Sequence, residues 1–508
     1  MIRFLARRFA LALGTLFVLS VVVHLMVDTA ADPLDDLRTS TAPNKEVLIA
    51  SRVAMLQLDA PWITRYWNWL HSFIQGDFGI AWRSQQKVSD LMVGAVSTSV
   101  SLILFATLLA LLLGITVGIV SALRQYTTFD YSITFVSFML YSLPVFWVAV
   151  LLKQFLAIGL NDFLADPGVN WLFVIAVAVV SGLFWAGALG GRARRKLVVF
   201  GTAAAVTLAT LLLIVWSGWL DSPQIGPLGL GVLGAGTALA VTLAFAGLSN
   251  RRALYSALAT AAVGLALYYP LMYLFYYYVV DWPLLFGLLA LAIACGCGVG
   301  WLFGGTDRGV SMRGGAIVAA VMAALTFVDR VMQVYPMYYR SNAIHGRPIA
   351  TIGAETPNLG GDFWVQCLDR FTHILLPTIA LVLISFASYT RYQRGAMLEV
   401  LSKDYIRTAR AKGLSERVVI VRHALRNALM PLAAVIPVDL VAMIGGAVMT
   451  ETIFGWAGMG KLFIDSLRQS EVAPIMAYVM ITGAVAIIAN LAADFFYALL
   501  DPRIRVNA

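Results

Sequence analysis

Gly455-Trp-Ala-Gly-Met-Gly460-Lys461 has the spacing G-x-x-x-x-G-K, most of the loop that cradles phosphates with backbone amides and a lysine. That chemistry needs a hydroxyl after the lysine to hold magnesium and a strand before the loop. Here Leu462 follows, and an apolar helical run precedes. The loop is therefore not read as a nucleotide site. Cys295 and Cys297, in ACGCGVG inside an apolar run, are read as small packing residues, and Cys367 stands alone. His24, His71, His345, His373 and His423 are scattered, so no ligand set for a metal is visible. No polar constellation suited to a membrane enzyme stands out either.

The other conspicuous stretch is basic. Asp404 to Pro431, DYIRTARAKGLSERVVIVRHALRNALMP, lies between two long apolar segments. A connection of this length between spans points to a function. Its first part allows a short helix with Tyr405, Ala409 and Gly413 on one line, while Arg407, Arg410 and Lys412 project elsewhere. Small residues on that line would let another surface approach the backbone.

The elements that position these residues are membrane spans. The chain is 60% apolar and 12% charged, with a mean hydropathy of +0.83, far from the ~25% charge of a soluble domain. Apolar runs of ~20 residues, the length that crosses a ~30 Å hydrocarbon core, recur along it. We expect an all-α polytopic membrane protein, since a β-barrel would show short alternating segments. Twelve helices are placed near 9–28, 97–121, 131–157, 171–190, 198–219, 228–248, 254–279, 283–304, 315–335, 374–392, 429–450 and 475–499. With both termini in the cytoplasm, the Arg3–Arg7–Arg8 cluster, the RARRK and NRR loops, Arg503 and Arg505 all fall inside. So do nine of the 36 basic residues, those between Arg391 and Arg426. The net charge of +9 then reflects topology and calls for no nucleic-acid partner. The Gly455–Lys461 loop falls outside, away from ATP.

Residues 1–28 are read as a signal-anchor helix and 29–96 as an extracytoplasmic region. Within it, TRYWNWLHSFIQGDFG is expected to form an amphipathic helix on the membrane, ending in a Gly76–Gly79 turn. Gly114-x-x-x-Gly118 and Gly296-x-x-x-Gly300 permit close helix contact, although such patterns also arise by chance.

Several segments together resemble the dipeptide/oligopeptide ABC transporter permease family, and within it the first of the two paired permeases. They are MIRFLARRFALALGTLFVLSVVVHLM, the outside GDFG, VGAVSTSVSLILFATLLALLLGITVGIVSAL, EVLSKDYIRTARAKGLSERVVIVRHALRNALMP, ETIFGWAGMGKL and DFFYALLDPRIR. The resemblance covers about 1–165 and 340–508. It implies a type I ABC importer transmembrane fold of six core helices, located in the bacterial cytoplasmic membrane. It implies as partners a second permease, two ABC ATPase subunits or domains, an extracytoplasmic solute-binding protein and membrane lipid. ATP and magnesium would be held by the ATPases, with no cofactor on this chain and no metal site. The cargo implied is a di- or oligopeptide; nickel, glutathione or another small solute are alternatives within the family, and a secondary transporter is the competing class.

The resemblance also implies that 393–428 is a cytoplasmic coupling loop. Importer permeases carry E-A-A-x-x-x-G there; Arg407-Thr408-Ala409 stands at E-A-A and Gly413 at the glycine, so the glutamate is absent. The implied ATPase-coupling residues are Asp404, Tyr405, Arg407, Thr408, Ala409, Arg410, Gly413 and Leu414. Glu451, Phe454, Gly455, Gly458 and Gly460 are the candidates for an extracytoplasmic gate. Residues 97–165 and 340–508 would form the core. Residues 166–339 would be an inserted six-helix bundle, expected to face lipid; its few intramembrane charges, Asp281, Asp329 and Arg330, lie near predicted span ends.

Overall fold

The computed structural model describes residues 2–500 apart from 31, 42 and 248, with side chains other than those of 2–8, 306, 434, 441–446 and 492–500. The side chains of Arg3, Arg7, Arg8 and of the whole terminal DFFYALLDPRIR, including Arg503 and Arg505, lie outside the described residues. Among the described residues, twelve helices are long and apolar enough to cross a bilayer, and they follow the expected spans in order.

The amino-terminal helix α1 (Ile2–Ala30) packs beside the carboxy-terminal helix, and the expected amphipathic helix α2 (Trp62–Ile74) packs against α1. Tyr66 of α2 is buried and hydrogen-bonds Ser20 of α1 at 2.8 Å, while Arg65 pairs with Asp28 at 2.6 Å. The aromatic cluster therefore packs partly on protein and not only on lipid. A turn with Gly76 and Gly79 in the left-handed region follows, then a two-residue hairpin pairing Ile80–Ala81 with Gln86–Lys87.

Two long helices form the centre, α3 (Val88–Leu123) and, far along the chain, the 39-residue Phe363–Leu401. The latter is about 58 Å long at 1.5 Å per residue, so it projects beyond a ~30 Å core. Gly114 and Gly118 of α3 lie against this helix, where an added Cβ would sit 2.7 Å from Tyr389 and 2.9 Å from the Thr390 carbonyl. The glycine pattern is thus a real interface.

The third span differs from expectation. It is split into α4 (Thr128–Ser142) and α5 (Val145–Leu152), which continues through a π-helical segment to Ala165. Pro144 cannot donate to the helix and holds Leu143 extended, at φ −84° and ψ 132°.

The inserted residues comprise two parts. Helices α6 (Trp171–Leu189) and α7 (Ala193–Trp216) pair with each other and touch α4 through the Phe129–Phe184 ring pair. The second part holds α8 (Gly226–Phe245), α9 (Arg251–Ala266) with its extension α10 (Tyr268–Tyr277), α11 (Trp282–Gly304) and α12 (Arg308–Gln333). Gly296 and Gly300 of α11 lie against the Gly315 and Ser311–Met312 backbone of α12. This part does not face lipid alone. Phe275, Val331, Val334 and Tyr338 form one apolar cluster with Trp364, Val365 and Leu368.

The long Phe363–Leu401 helix, α13, leads into a short α14 (Asp404–Ala411). Three further helical turns carry the chain from Glu416 to Ala428, so most of the basic segment is helical. Then come α15 (Met430–Phe454), α16 (Met459–Arg468) and α17 (Val472–Leu500). Leu102, Ala106, Ala149, Leu376, Ala380, Leu432 and Phe454 join α3, α5, α13 and α15 into the central apolar core.

Candidate coupling helix and outer turn

Helix α14 begins after Lys403 in extended backbone and carries Asp404 in its first turn, where a carboxylate suits the positive end of the helix dipole. It ends at Ala411; Gly413 has φ +76°, and its amide donates to the Arg410 carbonyl at 2.9 Å. Gly413 therefore terminates the helix, as glycine favours, and does not continue the line of Tyr405 and Ala409 expected from spacing.

Ala409 is a second correction. It is 7% exposed and packs with Ile406 into an apolar cluster of Ala122, Met397, Val400, Val419, Ala424 and Ala428. The small residue lets α14 sit against its own chain, because Ile406 and Ala409 are i, i+3 neighbours on one face. The outward face holds Asp404, Arg407, Thr408, Arg410 and Leu414, with the Arg407 side chain 72% exposed. Tyr405 is largely exposed, and its hydroxyl accepts from Asn427 at 2.8 Å. Arg410 pairs with Glu416 at 2.6 Å and holds that carboxyl below its usual range.

About three turns before this helix, α13 carries a connection absent from the sequence reading. Arg394 Nε and Nη2 donate to the Asp130 carboxylate at 2.6 and 2.8 Å. Ser121 of α3 donates to the same carboxylate at 2.5 Å, as does the Tyr126 amide at 3.1 Å. Asp130 is 1% exposed. The local sign was Thr127 three residues before Asp130, a helix start, and the Thr127 hydroxyl accepts from the Asp130 amide. Nothing local names Arg394 as partner.

At the opposite end, the five gate candidates meet in one turn. Glu451 lies in α15 and accepts from Ser99 at 2.5 Å, from the Gly460 amide at 2.8 Å and from the Lys461 amide at 3.1 Å. The Met459 amide donates to Ser99 at 2.8 Å. Gly458 abuts the Glu451 carboxylate, and a Cβ on Gly460 would lie 2.5 Å from Val448 Cα. The amides that a phosphate would need are thus taken by a carboxylate of the same chain, and Lys461 pairs with Asp465. Gly455, at φ +63°, ends α15. The buried Phe454 offers its carbonyl to the Gly353 amide at 2.8 Å, and Ile453 accepts from Lys153 at 3.0 Å.

Residues 265–506 match the family described as the binding-protein-dependent transport system inner membrane component. The matched segment is just under half of the chain. The match begins inside the expected insertion. The chain is 42% identical over 155 residues to the oligopeptide transport system permease protein OppB of Mycobacterium tuberculosis, which covers 30% of this chain and 48% of the relative. It is 45% identical over 154 residues to AppB of Bacillus subtilis, an oligopeptide transport system permease protein, again over 30% and 48%. With the dipeptide transport system permease protein DppB of Escherichia coli it shares 44% over 138 residues, 27% of this chain and 41% of the relative. The chain thus spans about half the length of the curated relatives it matches. The resemblance to the dipeptide/oligopeptide permeases is borne out, as is the type I importer membrane fold in a multi-pass helical protein.

Proposed function

We propose that the chain is a permease subunit of an ATP-driven importer of di- and oligopeptides in a bacterial cytoplasmic membrane, with both termini inside. The observation that carries this reading is α14. It is held rigidly to α13 by Ile406 and Ala409, and it offers Asp404, Arg407, Thr408, Arg410 and Leu414 outward. A short helix anchored on one face and free on the other suits a cleft in an ATPase. A second permease would complete the path, a solute-binding protein would deliver cargo, and two ATPases would bind ATP and magnesium.

On this reading, ATP-driven closure of the ATPases moves α14 as a rigid body with the inner end of α13, opening and closing the path alternately. The Asp130–Arg394 pair passes the motion to α3 and α4. Glu451, Phe454, Gly455, Gly458 and Gly460 hold the outer turn that the path must open past. Residues 166–339 are an addition to a six-helix core.

Reconstitution with the partner permease, ATPases and binding protein in vesicles tests this. Small peptides, nickel and glutathione are offered separately, and peptides are expected to stimulate ATP hydrolysis. Arg407→Glu combined with Leu414→Asp should leave insertion intact but lower ATPase co-purification and stimulated hydrolysis by about tenfold. Hydrolysis by the lone chain, or full uptake by the double variant, would overturn the proposal.

A further inference from the structure

The four-span part of the insertion contains a cavity of 440 Å³ between α9, α10, α11 and α12, within the ~300–1,000 Å³ of ligand pockets. Leu267, Leu285, Ala292, Val299, Ala323 and Phe327 are among its walls. The two threonine hydroxyls that reach it are satisfied within their own helices: Thr260 donates to the Ser256 carbonyl and Thr326 to the Met322 carbonyl, each at 2.9 Å. The walls therefore offer hydrocarbon a matching surface and water few partners. Phe286 and Leu291, also lining residues, are exposed, so the cavity is a groove open sideways to the bilayer.

The end of the groove remote from α14 carries a cation. Phe275 and Phe327 line the groove and approach the Trp364 ring at 4.9 and 5.7 Å. Arg330, three residues after Phe327, sits 5.8 Å from the same ring. Its Nη1 donates to Gln333 Oε1 at 3.5 Å, its Nε is buried with no hydrogen-bond partner, and among the described residues no carboxylate forms an ion pair with it. The adjacent Asp329 does not serve. Its carboxylate accepts from the Ile225 and Gly226 amides at 2.6 and 3.0 Å, from Tyr268 at 2.7 Å and from Gln333 at 2.9 Å. A half-buried guanidinium without an anion is costly, and its planar fork suits a phosphate.

We infer that this groove holds an acyl chain of an anionic phospholipid from the leaflet opposite the coupling helix, with its phosphate on Arg330. The groove supplies apolar contact and Arg330 supplies headgroup selectivity. The inference is independent of what the core transports.

The full chain is reconstituted in phosphatidylcholine vesicles doped with phosphatidylglycerol or phosphatidylcholine carrying a photoreactive acyl chain. Adducts are then mapped by peptide mass spectrometry. Helix α7 has no buried residue among those described and serves as the internal control for general lipid contact. The groove is expected to label above α7, and about tenfold more from phosphatidylglycerol than from phosphatidylcholine. Arg330→Gln should reduce the phosphatidylglycerol signal to the phosphatidylcholine level, and Arg330→Lys should keep most of it. Ala292→Phe, which fills the groove away from Arg330, should remove both signals while α7 labels as before. Groove labelling no greater than that of α7 would overturn the proposal, and so would equal labelling by the two lipids that Arg330→Gln leaves unchanged.

Discussion

The two ends of α13 are joined to their surroundings by different physics. At the end next to α14 a buried carboxylate, Asp130, takes a bidentate guanidinium, a hydroxyl and an amide. At the opposite end Trp364, Val365 and Leu368 meet Phe275, Val331 and Tyr338 through apolar contact. Directional bonds tolerate few alternative geometries, whereas apolar side chains can slide and repack. On the proposed function, the α14 end would pass motion between helices and the Trp364 end would hold residues 166–339 against the core.

The largest effect that would break this contrast is at the end next to α14. Asp130→Ala leaves Arg394 and Ser121 without their acceptor. Removing one member of a buried pair costs about 3–5 kcal/mol, and the low end applies because Arg394 is partly exposed. Thermal unfolding of the purified chain should show the loss. Asp130→Glu should restore stability better than transport, since a longer carboxylate cannot keep all four donors. Equal recovery of both would argue against a transmission role.

A smaller effect separates the two glycine interfaces. Gly118→Leu drives a side chain into the Gln393 and Thr390 backbone region, and Gly296→Leu drives one into Gly315. Overpacking of this kind costs about 1–3 kcal/mol at either place. Transport should fail with Gly118→Leu and largely survive Gly296→Leu. Uptake by cells expressing each variant, at matched membrane levels, decides between them.

The smallest effect belongs to Gly413. At φ +76° with open space beside it, alanine meets no clash but an unfavourable backbone. Gly413→Ala should cost about 1 kcal/mol, fraying α14 without unfolding the core. Hydrogen exchange confined to Asp404–Leu414 would register it; a global change in exchange would show that the helix end holds more than itself.

What the sequence alone determined follows from local sums. The twelve spans, their order and the site of the basic helix depend on length, apolar content and charge between spans, all additive along the chain. The failure of Gly455–Lys461 as a nucleotide loop was legible for the same reason, since Leu462 stands where a hydroxyl is needed. Tertiary structure alone decided what those residues do instead: Gly460 and Lys461 donate to Glu451, with Ser99 joining from 352 residues away. It alone decided that Ala409 faces inward, that Arg394 meets Asp130 across 264 residues, and that both glycine pairs are interfaces. The physical reason is the solvent. In a bilayer, lipid and protein partners are equally apolar, so hydropathy marks that a helix spans but not which of its faces meets another helix.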